Sequence, residues 1–143
     1  MAVMAGLWAG VLLAIALIGA PAGFAVLAER SDAGRLAGHM FAREAYLSLA
    51  LAVVMFILER GRARRVAEAG QGSVLSTELL MLAGVLFCTV AGYFALQPMM
   101  AAAREGQGAL SFGALHAIST VFYGLKTLLV LALAWRLSRP RAS

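Results

Sequence analysis

Four long apolar stretches, separated by short polar breaks, organise this chain. The first runs uncharged from Ala2 to Ala28. About 20 apolar residues at 1.5 Å each cross a bilayer as a helix, so this stretch is long enough, and Pro21 should kink or thin it near its far end. A polar break from Glu29 to Arg35 precedes a second stretch, from Leu36 to Leu58. Only Ala45 to Leu58 is free of charge there, which assigns His39, Arg43 and Glu44 to its outer end. A third runs from Leu79 to Ala103, entered through Glu78 and broken near Gln97-Pro98; the fourth runs from Phe112 to Trp135, interrupted once by Lys126. The pattern predicts helices over about 3–28, 36–58, 75–97 and 112–135 in one transmembrane domain covering the chain, an all-α, polytopic, antiparallel four-helix bundle. No tandem repeat, low-complexity tract or separate soluble domain stands out.

Composition supports that reading. Hydrophobic residues make up 62% of the 143 and charged residues only 13%, about half the share in soluble domains. A water-soluble domain this small could not hide so much apolar surface. The alternative for the first stretch is a cleaved signal peptide, with Ala20-Pro21-Ala22 imitating a cleavage site. The missing basic start and the long apolar run favour a retained helix. The single cysteine, Cys88, allows neither a disulfide framework nor a multi-cysteine metal site.

The net charge of +5 matters mainly through its placement. Arg60, Arg62, Arg64 and Arg65 occupy the second loop and Arg136, Arg139 and Arg141 the tail, against Arg30, Arg35 and Arg104 in the opposite loops. Arginines concentrate in cytoplasmic loops, so both termini are expected in the cytoplasm, with Trp135 as an interfacial anchor. The arginine cluster could also meet anionic lipid. No aromatic residues interleave with it to stack on bases, so nucleic acid is not an expected partner.

Glycines at four-residue spacing, Gly6 and Gly10, Gly19 and Gly23, Gly34 and Gly38, predict close helix packing, within the chain or in a homo-oligomer. On the fourth helix His116, Ser119, Tyr123, Lys126 and Thr127 form one polar stripe, which should face the other helices because a lipid-facing lysine is costly. Glu78, entering the third helix, is the expected partner of Lys126. The intramembrane polar cluster is then Arg43, Glu44, Glu78, Tyr93, Gln97, His116, Ser119, Tyr123 and Lys126. His39 and His116 open the second and fourth helices at similar depth and could hold a haem iron or share a metal ion. Neither lies in a ligand motif, Arg43 sits one turn from His39, and Met40, Met99 and Met100, which could suit soft copper, are more often packing residues, so no cofactor is expected.

Ala20-Pro21 with Phe24, then Ala33-Gly34-Arg35 with Gly38 and Phe41, resemble the first hairpin of the transmembrane-protein-205-like family. Leu96-Gln97-Pro98-Met99-Met100 with Arg104 resembles its third-helix exit, and Phe112-Gly113-Ala114-Leu115-His116 with Ser119 and Tyr123 its most recognisable signature. Ala117 departs from the glycine expected after the histidine. The resemblance spans nearly the whole chain in order and implies a small four-span membrane domain, in bacteria of the cell inner membrane, without a settled activity.

No hydrolase, nucleotide-binding or zinc-protease pattern is present. The leading expectation is a non-enzymatic structural or accessory component of the membrane, with lipid and either a homo-oligomer or another membrane protein as partners. A small transporter or proton or ion relay through the polar cluster is the second reading. A haem or metal carrier using His39 and His116 is the third.

Overall fold

The computed structural model describes residues 1–139; Arg141 of the basic tail lies outside the described residues. Among the described residues the chain is helical and holds no strand. Four helices are long and apolar enough to cross a membrane: α1 (Ala2–Val26), α2 (Arg30–Glu68), α3 (Thr77–Arg104) and α4 (Phe112–Ser138). Large apolar side chains cover the outside, with Ile57 63% and Leu128 64% exposed. That surface suits hydrocarbon, and the chain is a multi-pass membrane protein.

Helix boundaries follow from local chemistry. Ser76 and Ser111 cap α3 and α4, each hydroxyl accepting from a backbone N–H three residues on (Leu79 and Ala114, both 3.1 Å). Gly70 and Gly106 adopt φ of +70° and +74° just past the ends of α2 and α3, a backbone that glycine alone takes at no steric cost. α2 is longer than its apolar run. Its 39 residues rise about 58 Å, nearly twice the roughly 30 Å hydrocarbon thickness, so the helix carries its charged residues beyond the apolar layer at both ends.

Pro21 and Pro98 lie inside continuous helices. Each follows a π turn, Ile15–Gly19 before Pro21 and Val90–Ala95 before Pro98. A proline ring clashes with the carbonyl four residues back, and here that carbonyl belongs to Leu17 or Phe94, within the wider turn that accommodates it. The expected break at Gln97-Pro98 is therefore corrected. The third helix bulges there and continues to Arg104.

These bulges shape the bundle. At the arginine-rich end all four helices close on one core of Ala5, Trp8, Leu12, Ala52, Met55, Leu82, Val85, Val130 and Leu133. There α1 packs on α4 and α3 on α2. Beyond the π turns α1 leans on α2, where Gly19 and Gly23 admit Met40 and Leu36, and α3 stays with α4. The molecule is thus two hairpins, α1–α2 and α3–α4, clamped at the arginine-rich end and splayed at the other. Pro21 and Pro98, His39 and His116, and Tyr46 and Tyr123 recur at one offset of 77 residues, so the hairpins share a plan that no continuous repeat announces.

The glycine expectation holds for only one pair within the chain. A Cβ on Gly6, Gly10, Gly34 or Gly38 would meet nothing within 4 Å. Those glycines do not seat a neighbouring helix of the bundle.

Candidate functional site: a cleft between two hairpins

The splayed hairpins enclose a cleft of about 1040 Å³. Its walls are Ala16, Ala20, Phe24, Phe41, Ala42, Gly92, Met100 and Phe112, and its polar lining is Tyr93, Gln97, Ser119, Thr120 and Tyr123. Arg35, His39, Arg104 and His116 stand toward the splayed end, where α2 and α4 begin and α3 ends. Glu44 and Lys126 also line the cleft.

Lys126 is 3% exposed and Glu44 3%. The ammonium donates to both carboxylate oxygens, at 2.8 and 2.9 Å. This corrects the pairing of Lys126 with Glu78. Ten residues separate Lys126 from Arg136, a rise of about 15 Å, so the lysine sits near mid-membrane, far from the helix end that Glu78 occupies. Glu78 is held instead by Arg136 (3.1 Å) and more loosely by Arg62 (3.9 Å). Glu59 adds the Arg62 guanidinium and the Ser76 hydroxyl (2.6 Å) to that cluster, which ties α2, α3 and α4 together at the arginine-rich end.

The Glu44–Lys126 pair is embedded in a chain of donors. The Trp8 indole N–H donates to Ser48 Oγ at 2.8 Å, and the Ser48 hydroxyl donates to Glu44. Three helices meet in this chain, α1 through Trp8, α2 through Glu44 and Ser48, and α4 through Lys126. Among the described residues no buried side-chain nitrogen or oxygen lacks a partner, which is what makes a charge at this depth tolerable. Lys126 Nζ also lies 4.9 Å from the Tyr123 ring centroid, a cation–π contact. Replacing Trp8 with phenylalanine keeps the packing but removes one donor. The expected loss is about 1 kcal/mol, read as a lower melting temperature in lipid nanodiscs.

Hydroxyls of α4 stabilise both π turns. Tyr123 Oη donates to the Leu12 carbonyl at 2.7 Å, just before the bulge in α1, and Ser119 Oγ donates to the Gly92 carbonyl at 2.9 Å, within the bulge in α3. Each of these carbonyls thus receives a donor from another helix. Gly92 makes the second contact reachable, since a Cβ there would stand 2.4 Å from Phe122 Cβ.

Of the residues singled out from sequence, Glu44, Tyr93, Gln97, His116, Ser119, Tyr123 and Lys126 meet in the cleft, and His39 joins them. Thr127 donates to the Tyr123 carbonyl at 2.8 Å. Glu78 belongs to the other end, and Arg43 is exposed and outside the cleft lining. His39 and His116 face the cleft from opposite hairpins, and the His116 ring stacks on Phe112, centroids 6.0 Å apart. Among the described residues no group of three or more His, Cys, Asp or Glu could hold a metal ion. Sequence reasoning missed Trp8, Ser48, Arg35 and Arg104. Ser48 was legible, one turn after Glu44 on the same face; Trp8 was not, because nothing local points an indole at another helix.

Comparison with curated proteins and with solved structures finds no match. A family model matches residues 3–109, which covers α1 to α3, including Glu44, and stops short of α4. The chain belongs to the family defined by that model, DUF4149, a domain of unknown function.

Proposed function

We propose that this protein is a non-enzymatic binding bundle of the cell inner membrane, an accessory component whose working part is the cleft. It takes up a small ligand from the side opposite the cytoplasm. The observation that carries this reading is the cleft volume of about 1040 Å³, at the upper end of ligand pockets. A purely structural bundle would gain by closing it, since close packing is the norm in protein interiors. Sidedness comes from the arginines. Arg60, Arg62, Arg64, Arg65, Arg136 and Arg139 support a cytoplasmic position for the clamped end, with both termini there.

A transporter or ion relay is the second reading, favoured by the buried pair at the base of the cleft. Between Ser48 and the cluster around Glu59 and Glu78, however, lies the apolar core of Leu12, Met55, Leu82, Val85 and Val130. An ion crossing this protein would require those side chains to part. Uptake into a cleft open at one end needs no such step.

Sided labelling tests the proposal. With Cys88 replaced by serine, a cysteine at Ala42, on the cleft wall, should react with a membrane-impermeant maleimide in spheroplasts and not in sealed inside-out vesicles. Reaction only in inside-out vesicles would reverse the topology. No reaction from either side would remove the binding reading.

A further inference from the structure

The charge of the cleft lining is lopsided. Its cations are Arg35, Arg104 and Lys126, joined by the two histidines; its one carboxylate is Glu44. That carboxylate is already engaged by Lys126 and Ser48, so the base of the cleft is internally neutral. The excess positive charge stands at the mouth and comes from both hairpins. Arg35 and His39 lie one turn apart on α2, while Arg104 closes α3 and His116 opens α4. The Arg104 guanidinium lies over the Phe112 ring at 4.6 Å, and Phe112 stacks on His116, which holds the cation against the cleft wall. Among the described residues no carboxylate forms an ion pair with Arg104; Arg35 pairs with Asp32, which is not part of the lining. Below the mouth the walls are mainly aromatic and small apolar side chains.

A cationic rim above an apolar slot selects a molecule built the same way. We infer that the cleft binds an amphiphile with an anionic head, a carboxylate or phosphate, held between Arg35 and Arg104 while its apolar body lies against Phe24, Phe41 and Met100. Guanidinium groups suit this task because their planar donor fork matches both anions. The head stays at the membrane surface and the body at hydrocarbon depth, so uptake leaves the buried pair intact. This inference rests on the cleft being open as proposed above.

The test uses the Ala42→Cys, Cys88→Ser protein in phosphatidylcholine nanodiscs, with maleimide labelling rate as the readout. Oleate and oleyl alcohol are compared at equal mole fraction in the bilayer, and phosphatidylglycerol is added in a separate arm. Oleate should slow labelling at least about tenfold more effectively than oleyl alcohol, the scale of one charge-assisted contact. Arg104→Gln, with its fold checked by melting temperature, should erase most of that preference. Protection by phosphatidylglycerol alone would identify a membrane lipid as the source of the anionic head; protection by oleate alone would identify a free amphiphile. Equal protection by the alcohol, or none by either anion while the thiol still reacts, overturns the inference. A thiol that is unreactive in phosphatidylcholine overturns the open cleft, and this inference with it.

Discussion

Lys126→Met will lower the stability of the bundle by about 3–5 kcal/mol, the cost of stranding a buried carboxylate without its counter-charge. Glu44 would keep only the Ser48 hydroxyl as partner, in a pocket where it is 3% exposed. With both side chains buried at the base of the cleft, water there reaches the carboxylate too little to replace the ammonium. The informative comparison is the double substitution Glu44→Met with Lys126→Met, which removes both charges and should recover most of the loss, because an apolar pair of similar volume often matches or exceeds a buried ion pair. Unfolding of purified protein in nanodiscs, followed by tryptophan fluorescence, reads both variants. If the single and double variants lose equal stability, the pair is not the compensated unit described here. By contrast Glu78→Gln should cost much less, about 1 kcal/mol or below, since its partner Arg136 is partly exposed.

The second large effect is expected at Gly92. An alanine Cβ would lie 2.4 Å from Phe122 Cβ and 3.0 Å from its Cγ. Those atoms are close to the α4 backbone, so no rotamer change relieves the overlap and the helices must move apart. A loss of about 2–3 kcal/mol is expected, toward the upper range for overpacking, along with the Ser119 contact to the Gly92 carbonyl. Two other glycines calibrate it. Gly84→Ala meets Leu129 Cδ1 at 3.1 Å, the end of a flexible side chain, and should cost little; Gly124→Ala meets nothing within 4 Å and should be neutral. Melting temperatures in the order Gly124→Ala above Gly84→Ala above Gly92→Ala bear out this packing, and any other order contradicts it.

The membrane fold was readable because hydrocarbon imposes a simple rule on sequence: about 20 apolar residues per span. That rule registers charge as the end of a span, and it misplaced Glu44 for this reason. The glutamate lies mid-helix on the buried stripe Glu44, Ser48, Ala52, Met55, Glu59 and Ala63, whose spacing of three and four residues marks a single face of α2. Small residues at that spacing were the signal that this face is internal, and both glutamates on it are buried. The polar stripe of α4 was legible by the same periodicity, since lipid would have punished any other orientation. Its partners were not. Which helix lies opposite Lys126 depends on where α1 and α3 bend, and that depends on π turns. Pro21 and Pro98 announce a disturbance in each helix without saying whether it breaks, kinks or bulges.

The cleft itself has no local signature. It arises because two bends, one in each hairpin, carry the helices apart at the same end, and only the recurrence of proline and histidine at one offset in both halves hints at it. Arg35 and Arg104 read in the sequence as ordinary loop charges; the splayed geometry alone turns them toward a common space.

Adjacent positions on α4 provide the most direct measurement. Thr120 lines the cleft, and Val121, at nearly the same depth, is 62% exposed on the outside. Single spin labels at each, in a Cys88→Ser background in nanodiscs, can be compared for collision with a water-soluble nickel chelate and with oxygen, which concentrates in hydrocarbon. The label at Thr120 should favour nickel and the label at Val121 oxygen, a contrast that depth cannot produce. Oxygen-dominated spectra at both positions would mean that the hairpins stay together and the cleft does not exist in the membrane.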